Sequence, residues 1–261
     1  MNVKLICATA ALVIGSLAFA EDKPAGKVHK LSPEELQARI LRTQGDWVVK
    51  PNSQKGKVAF IDTQDEVSGE VFSKLVSSQA EETGLPLVYE KAKPGDPEAL
   101  RSASKADLAV VIVADDKTPT LLAAVEDGWA VVNVRKLATG LGSDEAKAKF
   151  LNGRCEREAL RAFAVIGGGV RSQYPENIMS MTKLPDLDLC ETFIPNDTLR
   201  AMVAALPNKG VAPRIKARYM FACRQGWAPA PTNDNQKAIW NKVHELPSKP
   251  IKIKYDPKRD K

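Results

Sequence analysis

Leu108-Ala109-Val110-Val111-Ile112-Val113 constrains this chain more than any other stretch. Its apolar residues run without a polar interruption, and β-branched side chains dominate the second half. A strand with no polar face must be covered on both sides, as in the interior of a parallel sheet. Val58-Ala59-Phe60-Ile61-Asp62 reads the same way, and 85–89 and 130–134 carry shorter strand signals. Between them the spacing predicts a helix over 66–83 closed by Gly84, a short helix opened by Asp96-Pro97-Glu98, and a helix over 118–125. Strands alternating with helices predict an α/β domain of two or three layers, with a mostly parallel sheet and flanking helices. No internal repeat is present.

The longest helical signal begins at Ser143, a good N-cap followed by Asp144 and Glu145 on the positive end of the helix dipole. Wound at the helical period, Leu151, Cys155, Ala159, Ala162, Phe163 and Ile166 fall on one side, and Arg154, Arg157, Glu158 and Arg161 on the other. Gly167-Gly168-Gly169 ends the helix, and a turn-rich segment leads to Met179 and Met181.

Residues 156–168 resemble a degenerate copy of the zinc-binding helix of the metzincins, nearest to the archaemetzincin-like branch. With the glycine of the H-E-x-x-H-x-x-G motif on Gly168, its first histidine falls at Arg161, its glutamate at Ala162 and its second histidine at Val165. Asn177-Ile178-Met179 then stands where that family has its methionine turn. The resemblance spans roughly 130–190 and implies a zincin-like core helix above a small C-terminal part. Two histidines one turn apart share a zinc ion, and the glutamate between them acts as base on bound water. Here a guanidinium and an isopropyl group take the ligand positions, and a methyl group takes that of the base. Arginine has no lone pair to give. The chain holds 2 histidines, His29 and His244, and no H-E-x-x-H. No metal, cofactor or catalytic residue is therefore expected at this helix, although Arg161 has the fork to hold a carboxylate or sulfate.

Residues 1–20 carry one lysine, an apolar run and Ala18-Phe19-Ala20, which reads as a secretory signal peptide cleaved before Glu21. The alternative is a membrane anchor, for which the run is slightly short. Export to the periplasm or medium follows, with no membrane span after signal removal. The domain scheme is a signal peptide at 1–20, a leader with a short helix opened by Ser32-Pro33-Glu34-Glu35 at 21–50, and one α/β domain at 51–261. Within it, 51–170 holds the sheet and core helix, and 171–261 an irregular, helical part. A net charge of +6 is spread among mixed acids and bases. Only 249–261 is markedly basic, with Ile251, Ile253 and Tyr255 alternating with lysines as in a guarded edge strand. No recognition helix or basic–aromatic platform points to nucleic acid.

Asp62 and Asp115-Asp116 sit at strand ends, where α/β proteins often place working groups, but caps and loop ties explain them equally. Ser172 and Ser180 lie in no G-x-S-x-G elbow. Gly140-Leu141-Gly142-Ser143 precedes a helix without a full phosphate-cradle pattern. In an oxidising compartment, Cys190 and Cys223 are the expected disulfide, and Cys155, on the apolar side of its helix, the buried free thiol. A cysteine-rich zinc site is the competing idea, without C-x-x-C spacing to support it.

Two functions remain open: an exported, non-catalytic metzincin-like domain binding a peptide, glycan or protein partner, or a peptidase-like hydrolase whose active site the sequence does not spell out.

Overall fold

In the computed structural model, the described residues are Ser32, 47–142, 145–181 and 183–245. The chain divides into Met1–Gly45 and Asp46–Lys261, and the fold below is that of the second unit. The signal peptide, the leader helix beyond Ser32 and the basic tail lie outside the described residues. Among the described residues, no helix is long and apolar enough to cross a membrane.

The central sheet contains β2 (Val58–Asp62), β3 (Leu87–Lys91), β4 (Leu108–Val113), β5 (Leu121–Ala124) and β6 (Trp129–Asn133). Its order is β3-β2-β4-β6-β5, with the first four strands parallel and β5 antiparallel at the edge. This is the mostly parallel α/β sheet expected. β2 is fully buried and β4 nearly so, because helices lie on both faces. On one face Val58, Phe60, Leu108, Val110, Ile112 and Val132 meet α1 (Gly69–Thr83) and α4 (Glu145–Ile166). On the other, among the described residues, Ala59, Ile61, Ala109, Val111 and Val131 pack with Ala106 and with Leu100 of α2 (Pro97–Ser104). One face thus carries most of the core, anchored by an edge-on Phe60–Phe163 contact with centroids 6.0 Å apart.

Local chemistry sets the helix ends. Ser68 caps α1 at its start, and Gly84, in the left-handed region, closes it. Asp96 accepts from Ala99 N with Pro97 at the first helical position of α2. α4 ends in a Schellman arrangement around Gly168 (φ 84°), with Gly169 N–H donating to Ala164 O and Gly168 N–H to Val165 O. A Cβ on Gly168 would lie 2.5 Å from that of Ala205.

The helix expected over 118–125 is instead strand β5. Leu121, Leu122, Ala123 and Ala124 favour a helix in isolation, but Gly128 (φ 76°) turns the chain back and pairs them with Trp129–Asn133. Cross-strand pairing overrides intrinsic propensity here. A short α3 (Val134–Leu137) leaves the sheet, capped by Asn133.

The C-terminal part holds 3-10 turns at Leu184–Asp188 and Leu206–Lys209, α5 (Asn196–Ala205), α6 (Tyr219–Arg224) and α7 (Asp234–Glu245). Strand β7 (Lys216–Arg218) pairs antiparallel with β1 (Trp47–Val49), so residues assigned to the leader by sequence belong to this unit. The segment 217–223, readable as strand or helix, is one and then the other. Trp227 is half-buried.

Candidate functional site

α4 positions the residues that the sequence singled out. Ala162 is fully buried, and Val165 packs half-buried against the main core. Met179 is buried in that core behind a tight turn, where its N–H donates to the Asn177 side chain and Ser180 N–H to Asn177 O. Arg161 is half-buried and donates to Glu158 Oε1 at 2.9 Å. None of Arg161, Ala162 and Val165 offers a lone pair, and two of them are committed to packing. These residues do not fit a zinc ion. Among the described residues, no group of three or more His, Cys, Asp or Glu side chains is placed to hold a metal.

The charged side of α4 is not the solvated face its periodicity suggested. Arg154 and Glu158 are buried, because the C-terminal part folds over them. Arg154 makes a forked pair with Asp188, with Nε to Oδ1 at 2.8 Å and the second fork nitrogen to Oδ2 at 2.7 Å. Its remaining nitrogen donates to Leu137 O and Thr139 O at 2.9 and 3.1 Å. One turn further on, Glu158 has no exposed surface, and among the described residues its Oε2 lacks a hydrogen-bond partner, as does the buried Nε of Arg157. Burial pushes the Glu158 carboxyl above its ordinary range, against the pull of Arg161. The Cys190 thiol is raised chiefly by burial and lies against Asp186 O at 3.3 Å.

Arg157-Glu158-Ala159-Leu160-Arg161 has the spacing of H-E-x-x-H, with a glutamate at the second position and arginine at both histidine positions. This frame lies four residues before the one anchored on Gly168 and, being one turn back, presents the same helix face. Sequence reasoning passed over it by starting from the glycines rather than from the glutamate. Arginine rules out a metal in this frame too.

A second candidate lies at the carboxyl ends of the parallel strands. The chain leaves β2 toward β3 on one side and β4 toward β6 on the other, so the order reverses between β2 and β4. A crevice of about 460 Å³ opens there, lined by residues 63–66, Pro94, Gly95 and 113–115. Beside it, Asp62 is buried rather than solvated, accepting from Tyr89 Oη at 2.8 Å and from the Gln64 side chain at 3.0 Å. Burial and then Asp62 raise the Tyr89 phenol. Asp115 ties its own loop, accepting from Thr118 N–H at 2.7 Å and Lys117 N–H at 2.8 Å, which lowers its carboxyl. Asp116 pairs with Arg135, which also holds Glu66. The carboxylates here are consumed by loop ties.

The remaining candidates are structural. Ser180 donates to Asn177 O and Ser172 accepts from Tyr174 N–H. A Cβ on Gly140 or Gly142 would meet nothing within 4 Å, so neither glycine is there for a close approach, while Ser143 lies outside the described residues. The Cys190–Cys223 disulfide is not formed. All three thiols are free and buried, with Cys190 against Asp186 O under α4 and Cys223 coupled to Tyr219 in α6. Cys155 is the buried thiol expected, pushed up to about 12 by burial.

The sequence matches no family profile and no curated protein. Among solved structures it is similar to the archaemetzincin of Methanopyrus kandleri, at 14% identity over 61% of this chain and 99% of that one, with a TM-score of 0.48. It is also similar to a zinc-dependent peptidase of Methanocorpusculum labreanum, at 17% identity over 56% of this chain and 100% of that one, with a TM-score of 0.42. The archaemetzincin of Archaeoglobus fulgidus is similar at 12% identity over 56% of this chain and 99% of that one, with a TM-score of 0.39.

Proposed function

We propose that this is an exported, non-catalytic domain that binds extended peptide segments as an added strand on β5, the sheet edge that is unpaired among the described residues. The observation that carries the reading is the state of that edge. Asn133 N–H donates to Thr120 O, so the alternation of an antiparallel ladder turns the N–H and C=O of Leu121 and Ala123 outward. Edge strands are normally guarded by charge, proline or a bulge. β5 reads Leu-Leu-Ala-Ala, with Leu122 45% exposed. An open, uncharged, apolar edge is complementary to another backbone. The lack, among the described residues, of any cluster of three or more His, Cys, Asp or Glu side chains placed to hold a metal supports binding without cleavage.

The test uses a hexapeptide of alternating valine and threonine, acetylated and amidated so that it carries no terminal charge. It is expected to slow hydrogen exchange at the Leu121 and Ala123 amides, to lose that effect with Ala123→Pro, and to stay intact with zinc added. Cleavage, or no protection at millimolar peptide, overturns the reading. Protection that grows with protein concentration alone identifies a second copy of this chain as the occupant and equally overturns it.

A further inference from the structure

The two-stranded ribbon of β1 and β7 joins distant parts of the chain and builds a surface that neither part has alone. Trp47 stands opposite Arg218, and Val49 opposite Lys216. Directly opposed residues of an antiparallel pair share a face, as do alternate residues of one strand, so these four side chains lie on one side of the ribbon. That side is open. Trp47 and Val49 are 44% and 43% exposed, and Lys216 and Arg218 are exposed beside them, while Val48 and Ala217 on the other side are half-buried. Lys216 Nζ lies 5.9 Å from the centre of the Trp47 ring, so the cation and the aromatic surface meet. α6 follows β7 directly and packs on both strands. It buries Tyr219, Ala222 and Cys223 and leaves Met220, Phe221 and Arg224 exposed.

The charge of this surface has one sign. Neither 47–57 nor 198–233 contains an aspartate or a glutamate. Among the described residues, Lys55, Arg214, Lys216, Arg218 and Arg224 make no ion pair. Two acids stand against them: Glu81 shares a crevice with Arg214, and Asp46 precedes Trp47 in the chain. Counting both still leaves the surface positive.

We propose that the Trp47, Val49, Lys216 and Arg218 face, with the exposed side of α6 at its flank, docks on the surface of an anionic phospholipid bilayer. Tryptophan settles at the headgroup level, and lysine and arginine are drawn to anionic lipid. The apolar side chains select this partner among anionic ones. Val49 and Met220 have nothing to stack on a base, whereas single-stranded nucleic acid is held on successive aromatic rings. Apolar side chains beside unpaired cations match a layer whose phosphates overlie hydrocarbon. Three residues of strand extend about 10 Å, against about 30 Å of hydrocarbon, so the ribbon anchors without crossing. This face belongs to a different sheet from the β5 edge, and either reading can fail without the other.

The experiment is fluorescence quenching of the full chain by vesicles of brominated phosphatidylglycerol or brominated phosphatidylcholine. The Trp47 signal is the part lost in a Trp47→Phe variant. Neither 1–20 nor 249–261 contains tryptophan, so contact through either segment alone leaves that signal unchanged. Phosphatidylglycerol is expected to quench the Trp47 signal and phosphatidylcholine to leave it, and roughly 0.5 M salt should reverse the quenching. Lys216→Ala and Arg218→Ala, both at exposed positions, should each raise the lipid concentration needed by about fivefold. Three results overturn the proposal: no Trp47 quenching at millimolar phosphatidylglycerol, equal quenching by phosphatidylcholine, or a Trp47 spectral change that oligothymidylate or polyglutamate saturates at lower concentration than lipid. The last would identify a soluble polyanion as the occupant.

Discussion

Two buried ionic groups sit one turn apart on α4, and they are built differently. Arg154 and Asp188 form a closed set, with both forks matched and the spare guanidinium nitrogen used on two carbonyls. Arg157, Glu158 and Arg161 form an open set, with one ion pair and two buried atoms lacking partners. A closed polar network fixes a structure, in this case the docking of the 3-10 turn Leu184–Asp188 against the helix. An open one leaves buried polar atoms uncompensated, at a cost to stability. The same residue type, on the same helix, is thus fully paired at one position and left with an unpaired buried atom one turn further on.

The comparison breaks most readily at the lock. Asp188→Ala leaves the Arg154 guanidinium buried and unpaired, and should cost about 3–5 kcal/mol in denaturant unfolding. A loss below about 1 kcal/mol would mean that the pair does not hold the C-terminal part to α4. The helix end should matter less. Gly168→Ala forces a left-handed residue against Ala205, with an expected cost of about 1–3 kcal/mol and little change in the pH dependence of stability.

The smallest effect, and the sharpest, comes from Glu158→Gln. The folded-state pKa of Glu158 is raised above the ordinary 4.5, so the native chain holds its proton longer than the unfolded chain does. Its contribution is therefore fully present below 4.5 and is lost as pH rises toward the folded value. Glutamine removes that loss. The variant should match the parent at pH 4 and be the more stable of the two at pH 8, read from unfolding curves at the two pH values. A variant less stable than the parent at pH 8 would show that the ionised pair is a lock after all.

Much of the sheet was legible because its signals are local. Leu108–Val113 has no polar face, so its burial on both sides followed from the residues alone. Gly84, Asp96-Pro97 and Gly168 mark helix ends through backbone and cap chemistry that needs no distant partner. That α4 carries no histidine is likewise plain from composition, the 2 histidines being His29 and His244.

What the sequence could not decide were outcomes of non-local contact. The stretch 121–124 is a strand because Trp129–Asn133 returns beside it, against its own helical preference. Arg154 and Glu158 look like a solvated face by periodicity, and are buried because a segment some thirty residues later covers them. Cys190 and Cys223 satisfy the arithmetic of a disulfide, yet one lies under α4 and the other against Tyr219. Periodicity tells which residues of a helix share a face. Only packing tells what that face meets, because the burial of a charge is a property of its partner as much as of itself.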